Sequence, residues 1–294
     1  MKETNHIAVS LSGGIVMLKE ILQNIPPSER KIAEFIISNP KAAVGCTASE
    51  LGELSSTSSA AVIRLCKSLG LKGFQELKLR IAGDIPNSFN GRYQDIVPNE
   101  SRESIVNKMT NNSLQAITET ANIINYQTLE HTVDVILKTE KIHFFGVGAS
   151  GVIAQDAQQK FIRINKPASA FMDIHVAATY IANVTPNDVV MGISFSGETM
   201  EVVKILELAK QKGATTISLT SYGSTSVSEI ADIPLYISAS QEATFRSGAT
   251  SSRLAQLHMI DILFMCVVTE QYDETMRNLE KTKNAVDFII GKTK

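Results

Sequence analysis

The sequence has few cysteines, no excess of one charge and no long apolar run, and each shortage narrows the class of protein. Cys46, Cys66 and Cys266 are far apart and form no C-x-x-C pair, which argues against a disulfide framework and against a zinc site. The formal net charge of −2 excludes a chain that is basic throughout but allows a local nucleic-acid surface. No leader segment and no run of ~20 apolar residues is visible. We therefore expect a cytoplasmic protein with no metal and no membrane partner.

The 294 residues allow two domains, and the periodicity of apolar residues changes along the chain. Short helical patterns fill the first part, so we predict an all-α domain over residues 1–85. A linker and connecting helix are predicted over 86–124. Residues 125–290 alternate short apolar runs with amphipathic stretches, which indicates an α/β domain with a mainly parallel sheet flanked by helices. The predicted strands are "KIHFFGVG", "ASAFMD", "DVVMGISFS", "ATTISLTS" and "IPLYIS".

The first domain contains a pattern typical of a helix-turn-helix. "TASELGEL" is followed by the small polar turn "SSTS" and by the helix "SAAVIRLCKSLG". In that second helix one broad face is apolar and the other carries small polar residues first and cations behind. In a helix-turn-helix the second helix enters the major groove by its N-terminal end. The predicted inward positions are Ala61, Val62, Leu65, Cys66 and Leu69.

The charge distribution favours DNA as the partner of this segment. From Ser58 to Arg80 there are five cations and one acid, so the segment carries 5 − 1 = +4. Ser58 is the expected N-cap of the second helix. A three-helix bundle with a solvated basic face is the alternative. The candidate DNA-binding residues are Thr57, Ser58, Ser59, Ala60, Arg64, Lys67 and Lys72.

Three segments carry a resemblance to a known family. "PPSERKIAEFI", "AAVIRLCKSLG" and "KGFQELK" span most of residues 25–79 and resemble the N-terminal domain of RpiR/MurR-type bacterial transcription regulators. The resemblance implies operator DNA as a partner. One departure is the turn, which often holds a glycine in such motifs and here reads Ser56-Thr57.

Two glycine-containing loops follow predicted strands in the second domain. In "GVGASG", Gly146, Gly148 and Gly151 match the G-x-G-x-x-G pattern of a dinucleotide site, and Asp173 stands where a ribose-binding acid is expected. The second loop, "SFSGET", has no counterpart in that interpretation. No "GKS" or "GKT" follows either loop, which disfavours a nucleoside-triphosphate site.

A phosphosugar site explains both loops. Hydroxyls and free N–H groups at a helix N-terminus make an anion cradle suited to phosphate. Ser150 of the first loop and Ser194, Ser196 and Thr199 of the second could close on one phosphate. Gly148 and Gly197 would let the backbone approach it. No cofactor is expected.

This half of the chain resembles the SIS domain, a sugar-isomerase fold that binds phosphosugars, from about residue 125 to 275. The resemblance implies that Ser150, Ser194, Ser196 and Thr199 contact the phosphate. It places "SQEATFRSGATSSRLAQLHMIDILF" near the sugar ring, with Glu242, Arg246 and Ser247 as candidate contacts. Since the likeness is closest to MurR-type regulators, it implies an amino-sugar phosphate, N-acetylmuramic acid 6-phosphate first and glucosamine 6-phosphate as another candidate.

Both halves together favour a sensor over an enzyme. Isomerases and etherases with this domain need an acid or base, and only Glu242 and His258 are candidates, so no catalytic residue is assigned. The leading hypothesis is a regulator, expected to be a repressor of sugar catabolism genes. A phosphosugar isomerase or etherase is second, and a nicotinamide-dependent oxidoreductase is third. A homodimer or dimer of dimers is expected, because such proteins bind two half-sites.

Overall fold

The protein is described by a computed structural model that covers residues 13–85, 96–238 and 250–291. Its backbone divides into two compact units. One unit contains the described residues 13–85 and also 121–123. The other contains 96–120, 124–238 and 250–291.

The first unit is built from short helices joined by tight turns. Buried aliphatic side chains from all of them form its core, including Leu18, Ile32, Ala43, Leu51, Leu65 and Leu77. In its residues 13–85 the helices are α1 (Gly14–Ile21), α2 (Pro27–Ser38), α3 (Pro40–Gly45), α4 (Ala48–Leu54), α5 (Ser59–Ser68) and α6 (Phe74–Asp84).

The second unit alternates strands and helices after two leading helices. All five predicted strands are present, and the predicted α/β class is confirmed. The elements are α7 (Arg102–Ile123, whose last three residues belong to the first unit), α8 (Tyr126–Lys138), β1 (Lys141–Gly146), α9 (Ala149–Arg163), β2 (Ala168–Phe171), α10 (Ile174–Ile181), β3 (Asp188–Ile193), α11 (Met200–Gln211), β4 (Thr215–Ser221), α12 (Ser226–Ile230), β5 (Ile233–Ile237), α13 (Thr250–Glu270) and α14 (Tyr272–Ile289).

The five strands form one sheet in the order β2-β1-β3-β4-β5, and every neighbouring pair is parallel. Phe144 and its alternating neighbours pack against α8, α9 and α13 on one face. Phe145 and Val190 pack against α10 and α11 on the other. The sheet is thus covered on both faces, which explains why β3 is apolar without alternation.

Helix α13 is as long and apolar as a membrane-spanning helix, by length and composition only. Its residues Ala255, Met259, Ile260 and Leu263 are buried in the core beside the sheet. A core helix of a globular domain has the same composition, and the packing accounts for the apolar sequence of α13.

Candidate functional site

The two glycine-containing loops lie side by side at the carboxyl-terminal edge of the sheet. β1 and β3 are hydrogen-bonded neighbours, and Gly146 at the end of β1 is paired with Ile193 at the end of β3. The chain leaves β1 toward β2 on one side and later returns to β3 on the other. In open parallel sheets a ligand crevice forms at this point, where the strand order reverses. The sequence interpretation placed the two loops at neighbouring strand ends, and the pairing of β1 with β3 confirms this.

The first loop places Ser150 in the first turn of α9. Its side chain is almost fully buried, and its Oγ accepts a hydrogen bond from the Gln256 Nε2 at 3.2 Å. Gln256 comes from α13 and is only 1% exposed. A buried amide in an otherwise apolar helix is a signal that the sequence contains, and our sequence interpretation missed it. Gln256 fixes the position of the Ser150 hydroxyl.

The second loop is organised by its own hydroxyl groups. The Ser194 and Thr199 hydroxyls lie 2.8 Å apart, and the Ser194 Oγ accepts from the Gly197 N–H at 3.2 Å. Ser194 is 2% exposed, so it shapes the loop from inside. Ser196 is exposed, and its Oγ accepts from the Glu198 N–H at 3.2 Å. Of the predicted hydroxyls in this loop, the Ser196 Oγ is therefore the one most open to a ligand.

A third loop, between β4 and α12, closes one side of this arrangement and was not predicted. Gly197 has a φ of 69°, and a Cβ built on it would lie 2.2 Å from the Thr225 Oγ1. The Gly197 carbonyl accepts from the Val227 N–H at 2.9 Å. Only glycine fits between these two loops.

Helices α9 and α11 begin at this edge without side-chain caps. Gly148 precedes α9 and has no side chain to offer, and the Thr199 hydroxyl before α11 binds Ser194 instead of its own helix. By contrast, side-chain oxygens cap α7, α8, α10 and α12. Helix α14 also lacks a side-chain cap, but it follows helix α13 and not a strand of the sheet. Uncapped N–H groups and two helix dipoles together favour an anion.

Asp173, the residue that a dinucleotide site would use for ribose, has another role. Its Oδ1 accepts from the backbone N–H groups of His175 and Val176, each at 2.9 Å, and so caps α10. These hydrogen bonds lower the pKa of the Asp173 carboxyl, because they stabilise its charged form. The carboxylate is thus used within its own helix, which removes the main support for the dinucleotide interpretation.

Three predicted residues, Glu242, Arg246 and Ser247, lie outside the described residues. His258 does lie within them, half-buried in α13. The predicted contacts to the sugar ring therefore stay predictions.

A separate cavity of about 570 Å³ lies between α10 and the strands β1 and β3. Lys141 and Asp188, the first residues of β1 and β3, line it together with His143 and Tyr180. The His143 Nδ1 lies 2.7 Å from the Ser169 Oγ, and burial lowers the pKa of this imidazole. Its lining combines the Lys141 ammonium with the buried Asp188 carboxyl and contains neither of the uncapped helix starts, so we place the anion site at the two loops.

In the first unit, α4, the turn and α5 have the connectivity of a helix-turn-helix. The five positions predicted to face inward on α5 are all buried, and the Ser58 Oγ accepts from the Ala61 N–H at 3.3 Å, so Ser58 is the predicted N-cap. Ser56 occupies the turn position where a glycine was expected, and its φ is 53°. The turn therefore keeps the left-handed geometry with a serine in it.

The candidate DNA-binding residues form a largely exposed surface. Six are exposed and the seventh, Thr57, is half-buried, with its Oγ1 lying 3.0 Å from the Ser55 Oγ. Arg64 lies 3.7 Å from the buried Glu29 carboxylate, so part of its charge is used inside the unit. Of the other cations counted in the sequence, Arg80 is buried and Lys78 donates to the Cys46 carbonyl at 2.9 Å. The exposed positive charge is thus smaller than the sequence count suggested.

Gly52 of α4 is a structural requirement that was missed in the sequence. A Cβ at Gly52 would lie 2.8 Å from the Ser58 backbone carbon and 2.9 Å from the Ser59 nitrogen. The start of α5 therefore rests directly on the backbone of α4. A glycine inside an otherwise helical segment was the available signal.

A helix-turn-helix unit joined to a parallel-sheet unit with an anion cradle defines a two-domain transcriptional regulator. Residues 13–88 match the family described as "Helix-turn-helix domain, rpiR family", and residues 135–266 match the SIS domain. The chain is 50% identical over 278 residues to YbbH of Bacillus subtilis, described as an uncharacterized HTH-type transcriptional regulator, covering 95% of this chain and 98% of the relative. This protein belongs to the RpiR family of transcriptional regulators.

Two further comparisons extend the same picture. The HTH-type transcriptional regulator HexR of Pseudomonas aeruginosa is 29% identical over 268 residues, covering 90% of this chain and 92% of the relative. The solved structure of the Vibrio vulnificus NanR protein complexed with ManNAc-6P has a TM-score of 0.59 and 25% identity, covering 93% of this chain and 98% of that chain. YbbH and HexR are both described as transcriptional regulators, which supports a regulator here and not an enzyme.

Proposed function

We propose that this protein represses genes of sugar or amino-sugar catabolism and that a phosphosugar bound by its SIS domain changes its affinity for operator DNA. The observation that supports the ligand class is the pair of uncapped helices, α9 and α11, whose hydroxyl-bearing loops meet between β1 and β3. Such an arrangement offers several N–H and O–H donors to one phosphate. Effector binding and operator binding are then coupled through a shared free energy.

The proposed effector is an amino-sugar phosphate. N-acetylmuramic acid 6-phosphate is the first candidate because of the MurR-like sequence. Glucosamine 6-phosphate follows, and ManNAc-6P joins them because the NanR protein was solved with it. A thermal-shift screen of these compounds identifies the effector, since a ligand that binds only the folded protein raises its melting temperature.

The proposed domain and subunit organisation is one that suits binding to operator DNA. We propose functional domains at 1–85 and 125–290, with 86–124 connecting them, in a cytoplasmic homodimer or dimer of dimers. Two recognition helices would then read half-sites about 34 Å apart.

Gel-shift with the DNA upstream of the gene, with and without each sugar phosphate, tests the whole proposal. Specific binding that sugar phosphates leave unchanged would refute the effector role.

Lys67→Gln is expected to weaken operator and nonspecific DNA binding alike. Lys67 is exposed on α5, and no ion pair ties it to the protein in the part of the chain described. Loss of one phosphate contact should lower the slope of log affinity against log salt by about 1 per copy. The measurement is DNA binding at several salt concentrations. Lys138→Gln in the second unit is the matched control, and an equal change in both variants would contradict a specific role for α5.

Ser196→Ala is expected to weaken effector binding by about tenfold to 100-fold, as for loss of a hydrogen bond to a charged group. Operator binding without effector should be unchanged. Thr199→Ser retains the hydroxyl that meets Ser194 and serves as the control. Calorimetric titration with the sugar phosphate measures both variants. Equal affinity of Ser196→Ala and wild type would remove Ser196 from the site.

A further inference from the structure

Glu198 lies within the phosphate-binding loop and carries a negative charge, which calls for an explanation in a site built for an anion. It stands between Gly197 and Thr199, and its backbone N–H donates to the Ser196 Oγ. A free carboxylate here would repel the phosphate of a ligand. The structure shows that this carboxylate is bound to a neighbouring loop.

The partner of Glu198 is Ser226, the first residue of α12. The Glu198 Oε2 accepts from the Ser226 hydroxyl at 2.6 Å, and its Oε1 accepts from the Ser226 backbone N–H at 3.2 Å. The two residues are 28 positions apart in the chain, so the contact joins the loop after β3 to the loop after β4. One side chain thus makes two hydrogen bonds across the site.

The receiving loop is itself held in place. Thr225 and Ser228 form a reciprocal capping box at the start of α12, with the Thr225 N–H donating to the Ser228 Oγ at 2.9 Å. The Val227 N–H donates to the Gly197 carbonyl at 2.9 Å, which is a second contact between the same two loops. Glu198 therefore anchors the phosphate loop to a loop that is held by hydrogen bonds of its own.

We propose that Glu198 is a positioning residue: through Ser226 it holds Ser196 and Gly197 in the conformation that receives the phosphate of the effector. This inference rests on the proposed function for its ligand. It gives the carboxylate a defined role, because its two oxygens accept hydrogen bonds from Ser226 and not from the N–H groups and hydroxyls of the phosphate loop. Removing the side chain frees the loop and costs ordering entropy when the phosphate binds.

The test compares Glu198→Ala, Glu198→Gln and Ser226→Ala in the full-length protein. Glu198→Ala should weaken binding of the sugar phosphate by about tenfold, and Glu198→Gln, which keeps one acceptor, should recover most of the loss. Ser226→Ala removes only the hydroxyl contact and keeps the backbone N–H, so it should weaken binding less than Glu198→Ala does. Glu198→Ala combined with Ser226→Ala should be no weaker than Glu198→Ala alone, since Glu198→Ala already removes both hydrogen bonds. Glu130→Ala is the matched control, because Glu130 is an exposed acid of α8, outside the phosphate loop and α11.

Three outcomes overturn the inference. Unchanged or tighter effector binding by Glu198→Ala would show that the carboxylate does not position the loop. Additive losses in the double variant would show that Glu198 and Ser226 act separately. Hydrogen exchange of the amides of residues 194–199 gives a readout without any effector and should be faster in Glu198→Ala than in Glu130→Ala. If wild type binds no sugar phosphate, the proposed function fails, and equal exchange in the two variants would still refute the anchor.

Discussion

Gly197→Ala is expected to reduce effector affinity by about 100-fold or more, which corresponds to the loss of two charge-assisted hydrogen bonds. The added Cβ would lie 2.2 Å from the Thr225 Oγ1 and 2.4 Å from its Cβ. Thr225 cannot turn away easily, because it is half of the capping box with Ser228. The phosphate loop must therefore shift, and the left-handed φ of 69° adds strain of about 1 kcal/mol for alanine.

Titration with the sugar phosphate and gel-shift without it measure the two functions of this variant separately. Operator affinity without effector should stay at the wild-type level, since the change lies in the SIS domain. Gly223→Ala is the control: its φ of 133° strains an alanine, but nothing lies within 4 Å of the added Cβ. If Gly197→Ala binds the effector as well as Gly223→Ala does, steric closeness to Thr225 is not what shapes the loop.

Gly52→Ala should have the largest effect on DNA binding. Its Cβ would press on the backbone of Ser58 and Ser59, which cannot move without displacing the whole of α5. Overpacking of this kind costs about 1–3 kcal/mol in the free energy of unfolding. A displaced recognition helix should lose about tenfold or more in operator affinity, the cost of a mismatched base pair or greater.

Gly45→Ala provides the comparison within the same unit. Nothing lies within 4 Å of a Cβ at Gly45, which is the last residue of α3, so alanine should leave stability nearly unchanged. Thermal unfolding and gel-shift of both variants, with sugar-phosphate titration as a check on the second unit, give the result. Normal operator binding by Gly52→Ala would mean that α5 does not contact DNA in its present orientation.

The strands and most helices of this protein follow from local sequence patterns, whereas their arrangement does not. "DVVMGISFS" and "ATTISLTS" are apolar enough to be recognised as strands without any partner. That β1 pairs with β3 depends on a crossover that no short stretch encodes. Helix α2 ends before Pro40 as its sequence suggests. A further helix then begins at Pro40 itself, because proline is well suited to the first helical position.

The candidate site shows the same division. The sequence allowed four hydroxyl residues to be chosen as candidates, because hydroxyls beside glycine at strand ends are suited to binding a phosphate. These residues are Ser150, Ser194, Ser196 and Thr199. Gln256 and Thr225 were not, since each acts through a contact with a residue far away in the chain. Short α10 and α12 were also missed, because five to eight residues give little periodicity to detect.

The uncapped starts of α9 and α11 have a practical consequence for any titration of this protein with a sugar phosphate. A cradle of N–H groups and hydroxyls does not distinguish strongly between a sugar phosphate and a free inorganic phosphate or sulfate ion. Either ion at buffer concentration should compete for the same donors and make the effector look weaker than it is. Affinities measured in phosphate buffer and in an amine buffer of equal ionic strength should therefore differ, and their ratio reports how much of the binding comes from the phosphate alone.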